Sequence, residues 1–196
     1  MVSGRFFHRP SRRDQQGSSM IEVLITMVIL MLGLLGLVGL MVQSQRSQLE
    51  SYQRVQAVVV AQDMVNRINT NRKVAVCYVV TTGADGTPYL GTNSTLSPAC
   101  TSGTADQNAR AVQDLTDWNN LLLGSAEKIG TNDAGAMLGA RGCVSQVSAG
   151  VYQVSVVWQG TGKTAAPAGV TCGTNLYGDD TQRRAVSVPV QIASLS

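Results

Sequence analysis

The chain has 196 residues, 44% of them hydrophobic, with 15 Lys and Arg against 12 Asp and Glu. That length supports one small folded domain beside any membrane segment, and a net charge of +3 gives no basis for a nucleic-acid patch.

Residues 1–17 carry Arg5, Arg9, Arg12 and Arg13 against Asp14 and end at Gly17. Ser18, Ser19, Met20, Ile21 and Glu22 follow, and an apolar run continues to Val42 with Glu22 as its only ionisable side chain. Met20 to Val42 is 23 residues, roughly 35 Å as a helix, which is enough to cross a bilayer. The arginines hold residues 1–17 on the cytoplasmic side and send the remainder outward. An ordinary secretory signal is cut after its apolar region, whereas the candidate processing site here precedes it, so the apolar helix survives processing. An acid within such a helix costs a few kcal/mol and marks a functional position unless it snorkels or serves the helix dipole.

The helical pattern continues past the span. Tyr52, Val55, Val58, Val59, Ala61, Val65 and Ile68 form an apolar stripe among Gln, Arg and Asn, which predicts one helix from about Ser18 to about Asn69. Gly33, Gly36 and Gly39 recur at intervals of three, consistent with either a local soft point or close helix packing.

The Gly17-Ser18 junction with Glu22 resembles the class III signal of type IV prepilins and type II secretion pseudopilins. Ser19-Met20-Ile21-Glu22-Val23-Leu24-Ile25, Gly33-Leu34-Leu35-Gly36 and Ala61-Gln62-Asp63-Met64-Val65-Asn66-Arg67-Ile68 with Asn71-Arg72 resemble the PilV-type minor pilins of type IV pili. The resemblance covers about the first third of the chain. It implies a type IV pilin fold of class α+β, in which a long N-terminal helix packs on a small antiparallel sheet. Residues 1–17 would be a leader cut by prepilin peptidase between Gly17 and Ser18, with methylation of the new terminus. Residues 18–72 would be the spine, with 20–42 in membrane or filament core, and 73–196 the periplasmic domain. Glu22 would pair with the amino terminus of a neighbouring subunit during assembly. Ser18 departs from the aromatic residue commonest after the cut.

The implied role is a minor pilin in a tip or priming complex with other minor pilins, the major pilin and a PilY-type adhesin. Such a subunit starts in the inner membrane and ends in a surface pilus that supports adhesion and twitching motility. The alternatives are a minor pseudopilin of a type II secretion system and an unprocessed bitopic protein with a binding domain.

Residues 18–196 carry 11 basic and 11 acidic side chains, because the leader holds the excess positive charge. They also hold Cys77, Cys100, Cys143 and Cys172, an even number that in an exported domain predicts two disulfides. Three connectivities are open. Pairing Cys77 with Cys100 and Cys143 with Cys172 is favoured, because each pair brackets a Gly, Thr and Ser-rich loop. Val76 to Thr81 reads as a short strand, followed by a loop-rich stretch to Gly103 with a turn at Asp85-Gly86. Asp106 to Leu123 reads as a second helix with Ala111, Val112, Leu115, Trp118 and Leu122 on one face. Arg141 to Val147, Val151 to Trp158 and Ala185 to Ile192 alternate as strands of an antiparallel meander. Tyr152, Val154, Val156 and Trp158 should face the spine, and Pro189 makes the last strand an edge or bulged one.

No catalytic residue, cofactor or metal ligand is predicted. The sole histidine, His8, lies in the leader, which excludes histidine-dependent triads from residues 18–196. Gly162-Lys163-Thr164 looks like the end of a phosphate loop, but Val157 stands at the first glycine position and no helix is predicted to follow. Asp179 and Asp180 read as turn carboxylates rather than a calcium site. Asn93-Ser94-Thr95 matches a glycosylation sequon but reads as polar loop.

Overall fold

The computed structural model describes residues 18–125, 128–130, 132–133 and 137–193. Gly17 and the expected leader lie outside the described residues. Two compact units emerge, Met1–Gln45 and Arg46–Ser196. In the first, the described residues are the opening part of helix α1, which runs over Ser18–Thr70. Every large apolar side chain from Met20 to Val42 is exposed. A segment apolar on all faces has no direction in which to fold onto water, and lipid or other helices must cover it.

The second unit is α+β. The rest of α1, a 3-10 helix over Arg72–Tyr78, helix α2 (Ala105–Leu122) and a four-stranded antiparallel sheet share one core. Its strands are β1 (Leu90–Gly91), β4 (Arg141–Ser148), β5 (Val151–Gln159) and β6 (Arg183–Gln191), in the order β1-β4-β5-β6. A separate two-stranded ladder joins β2 (Lys128–Ile129) to β3 (Asn132–Asp133). The long helix packed on a small antiparallel sheet is the arrangement that the pilin resemblance implies.

The strand alternation sorts the sheet's two faces. Val144, Tyr152, Val154, Val156, Trp158 and Val190 are buried with Ala57, Val60, Ala61, Met64 and Ile68 of α1 in the main core. On the opposite face, Cys143, Val157, Cys172 and Tyr177 form a second cluster, to which the loop between β5 and β6 contributes Cys172 and Tyr177. β6 is an edge strand and keeps its register with β5 through Pro189, a place in the sheet where a residue without an amide donor is tolerated.

Helix α2 starts with a capping box in which Thr104 accepts from the Gln107 amide and Gln107 reaches back to the Thr104 amide. Its face of Ala111, Leu115, Trp118 and Leu122 is buried. Trp118 also donates through Nε1 to the Val60 carbonyl of α1 at 2.9 Å. Gly142 of β4 lies directly under the Trp118 ring, where a Cβ would collide with it.

Two expectations are corrected. Residues 72–78 form a 3-10 helix with a kink at Val74, not the start of a strand over Val76–Thr81. Val80 and Thr81 then both donate to the single Val144 carbonyl, at 3.0 and 2.9 Å, so no ladder can extend. The buried stripe on α1 is also narrower than expected. Ala57, Val60, Ala61, Met64 and Ile68 are buried, while Tyr52, Val55 and Val59 are exposed. The expected set mixes two helix faces; the sheet takes the one where Ala57 and Ala61 let the backbones approach closely. The short strand β1 has no counterpart among the expected elements.

Candidate functional site

The N-terminal junction is described from Ser18, the first residue of α1. Glu22 lies one turn further on, is exposed, and has no ion-pair partner among the described residues. A carboxylate in this position can pair with a cation brought by another chain, and in an apolar setting the unpaired state is costly.

Within Arg46–Ser196, α1 is tied down at both ends of its buried stretch. Towards its C-terminus, Arg67 bonds Asp63 at 2.6 Å and Asp114 of α2 at 3.0 Å. Tyr78 donates to the other oxygen of Asp114 at 2.5 Å, and Asn71 donates to the Tyr78 hydroxyl at 3.3 Å and to the Gln107 carbonyl at 2.9 Å. Burial pushes the Tyr78 phenol well above its ordinary range, and its bond to Asp114 pushes the same way. This polar knot escaped the sequence reading. Its one legible sign is Asp114 itself, an acid set inside the apolar stripe of α2.

Nearer the start of the unit, Glu50 Oε1 accepts from the Thr161 hydroxyl at 2.9 Å, the Thr161 amide at 3.2 Å and Arg184 Nη2 at 3.2 Å. The Thr161 hydroxyl, then Arg184, hold the Glu50 carboxyl below its ordinary value against partial desolvation. A groove of about 350 Å³ opens here between α1 and the β5–β6 edge, lined by Glu50, Arg54, Trp158 and Arg184 among others.

The cysteines form two bridges, Cys77–Cys100 and Cys143–Cys172, with Cα separations of 5.2 and 5.9 Å. The first joins the 3-10 helix to the loop before α2, and the second holds the long β5–β6 loop against β4. Arg141, at the start of β4, is clamped between the rings of Tyr89 and Tyr177, at 5.3 and 4.8 Å from their centroids.

Residues 12–38 match the prokaryotic N-terminal methylation motif. That motif marks the type IV pilin and pseudopilin class, and it spans the Gly17-Ser18 junction and Glu22. Membrane anchoring before assembly, contact with other pilins and handling by prepilin peptidase follow from a motif of this type. No curated protein and no solved structure matches the chain.

The remaining residues singled out from sequence are accounted for locally. Lys163 binds Asp179 at 2.8 Å and holds its carboxyl at about 2, and Asp180 forms a two-pronged pair with Arg183 at 2.7 Å. No cluster suited to a metal ion occurs among the described residues. Gly162-Lys163-Thr164 lies in the β5–β6 loop, and Asn93 is exposed in a turn with φ 62°.

Proposed function

We propose that the chain is a PilV-type minor pilin of a type IV pilus, with no chemistry of its own. Prepilin peptidase cuts between Gly17 and Ser18, and Ser18 becomes the methylated terminus. Residues 18–72 are the spine, 20–42 pass from the inner membrane into the filament core, and 73–196 are the periplasmic domain. Glu22 pairs with a neighbouring subunit's amino terminus. The subunit joins a tip or priming complex with other minor pilins, the major pilin and a PilY-type adhesin, supporting pilus assembly, adhesion and twitching motility.

The observation that carries this reading is the methylation motif over residues 12–38, set across the start of a 53-residue helix. Further support comes from α1 beyond the span, where Leu49, Tyr52, Val55 and Val59 are exposed apolar residues outside the sheet-packed face. An apolar strip on a helix that already has its core partner is suited to a second one.

Mass spectrometry of the N-terminus in sheared surface filaments and in membranes tests the proposal. N-methylated Ser18 in filaments is expected, and an intact Met1 in cells with active peptidase would overturn it. A deletion strain that keeps surface pili but loses exoprotein secretion would assign the chain to a type II secretion system instead.

A further inference from the structure

The four-stranded sheet ends on one side in the two-residue β1 and on the other in the nine-residue β6. Two main-chain bonds flank the β5–β6 ladder: Ile192 N–H donates to the Gly150 carbonyl at 2.8 Å, and Gly160 N–H to the Gln182 carbonyl at 2.8 Å. The register between them is unbroken, from Val151 opposite Gln191 to Gln159 opposite Arg183. Residues of an antiparallel pair alternate between bonded and non-bonded. The even-numbered residues of β6 therefore bond β5, and the odd-numbered ones turn their main-chain groups to the open side. Ala185, Ser187, Pro189 and Gln191 face that side, where no main-chain bond to them is made among the described residues.

Such an edge is a template for another strand. Val186 and Val188 are only partly buried against the core, so a second strand that covered them further would gain by burial. A second copy of β6 fits the edge by charge, because antiparallel pairing brings Arg183 and Arg184 of one copy towards the uncharged end at Gln191 of the other. A two-fold pair draws donors from both copies. Arg183 already gives its amide to the Asp180 carbonyl, which leaves Ala185, Ser187 and Gln191. Pro189 stands between the last two and has no amide. Its ring carbon projects where the hydrogen would sit, so a facing carbonyl is left unbonded and is held off.

We propose that Pro189 is a block on the β6 edge that keeps two copies of this chain from joining sheet to sheet. Any register that pairs two β6 strands over their full length meets the Pro189 of both copies. The block itself rests on the sheet alone. Its use rests on the pilin reading, in which copies anchored in one membrane meet at high local concentration and associate through α1, a contact with which an unblocked edge would compete.

The test compares the full native chain with Pro189→Val in detergent micelles, by amide hydrogen exchange and by native mass spectrometry. In the native chain the Ala185, Ser187 and Gln191 amides should exchange fast, and those of Arg184, Val186, Val188 and Val190 slowly. Pro189→Val restores one donor per copy, two bonds in a pair, so self-association should tighten about tenfold, with protection appearing at Ser187 and Gln191. Valine suits a strand, so the variant should keep the fold. Association through the apolar span affects both proteins alike and leaves the three open amides unprotected, which separates it from pairing at the edge. Adding Ser187→Pro to Pro189→Val returns a block to the same edge without removing a main-chain bond to β5, and should reverse the gain. Protection of Ser187 and Gln191 in the native chain would overturn the proposal, as would unchanged association and exchange in Pro189→Val.

Discussion

From Met20 to Val42 helix α1 is apolar on every face and exposed throughout, whereas from Ala57 to Ile68 a single face is buried against the sheet. One helix therefore satisfies two kinds of surroundings, and composition rather than backbone makes the difference. The first stretch depends on what other molecules bring to it. The second depends on Trp118, Tyr78 and Arg67, which are fixed within the chain. Damage to the first should spare folding and abolish assembly, and damage to the second should do the reverse.

The largest effect is expected at the junction. Gly17→Arg should leave an unprocessed chain in the membrane, read as a mass including residues 1–17. Glu22→Ala should be processed normally and lost from sheared filaments, while urea unfolding of the Arg46–Ser196 unit stays unchanged. Normal filament incorporation of both variants would break the comparison, since the exposed stretch would then carry no assembly information.

Next in size is Trp118→Ala. It empties the largest fully buried side chain among the described residues and deletes the bond to the Val60 carbonyl, so a loss of about 3–5 kcal/mol is expected by urea denaturation. Insertion of residues 20–42 into membranes should be untouched. A loss below about 1 kcal/mol would mean that the second helix does not hold α1.

The Asp114 knot sharpens the same contrast. Asp114→Ala strands the Tyr78 hydroxyl and part of the Arg67 charge, for an expected cost of about 2–3 kcal/mol. The Tyr78 phenol ionises above its ordinary 10.0 in the folded chain. Its contribution is therefore complete below pH 10.0 and is lost as pH rises beyond it, because the unfolded chain releases that proton first. Unfolding midpoints from pH 9 to 11 should fall in the native chain, and Tyr78→Phe should remove part of that slope; equal slopes would place the alkaline sensitivity elsewhere.

These residues also mark what could be read in advance. Val151 to Trp158 and Ala185 to Ile192 declared themselves by the alternation of apolar and polar residues, and Trp118 by its place on an apolar helical face. The 3-10 helix at 72–78 did not, because Val76, Tyr78, Val79 and Val80 satisfy strand propensity while the fold is decided by the Val144 carbonyl, remote in sequence. Likewise α1 offers two apolar faces after residue 50, and only the sheet's need for close approach at Ala57 and Ala61 selects between them. The Glu50 groove was invisible for the same reason: Glu50 and Arg184 are 134 residues apart, and neither has a local pattern that announces the other.

The smallest effect belongs to that pair. Glu50 is held below its ordinary 4.5 by the Thr161 hydroxyl and then Arg184, so its contribution is present above pH 4.5 and fades as pH falls through the lowered value. Its side chain is 36% exposed, and solvent screening keeps the link under about 1 kcal/mol. A global melt would barely register such a change. The Thr161 amide donates directly to Glu50 Oε1, so its hydrogen-exchange protection is the sensitive probe. Glu50→Gln should lower that protection about threefold at pH 6, and most of the difference from the native chain should vanish once the carboxyl is protonated. Unchanged protection at pH 6 would show that the Arg184 bonds to Thr181 and Gly162 fix the β5–β6 loop on β6 without help from α1, and that the Glu50 contact adds nothing to its order.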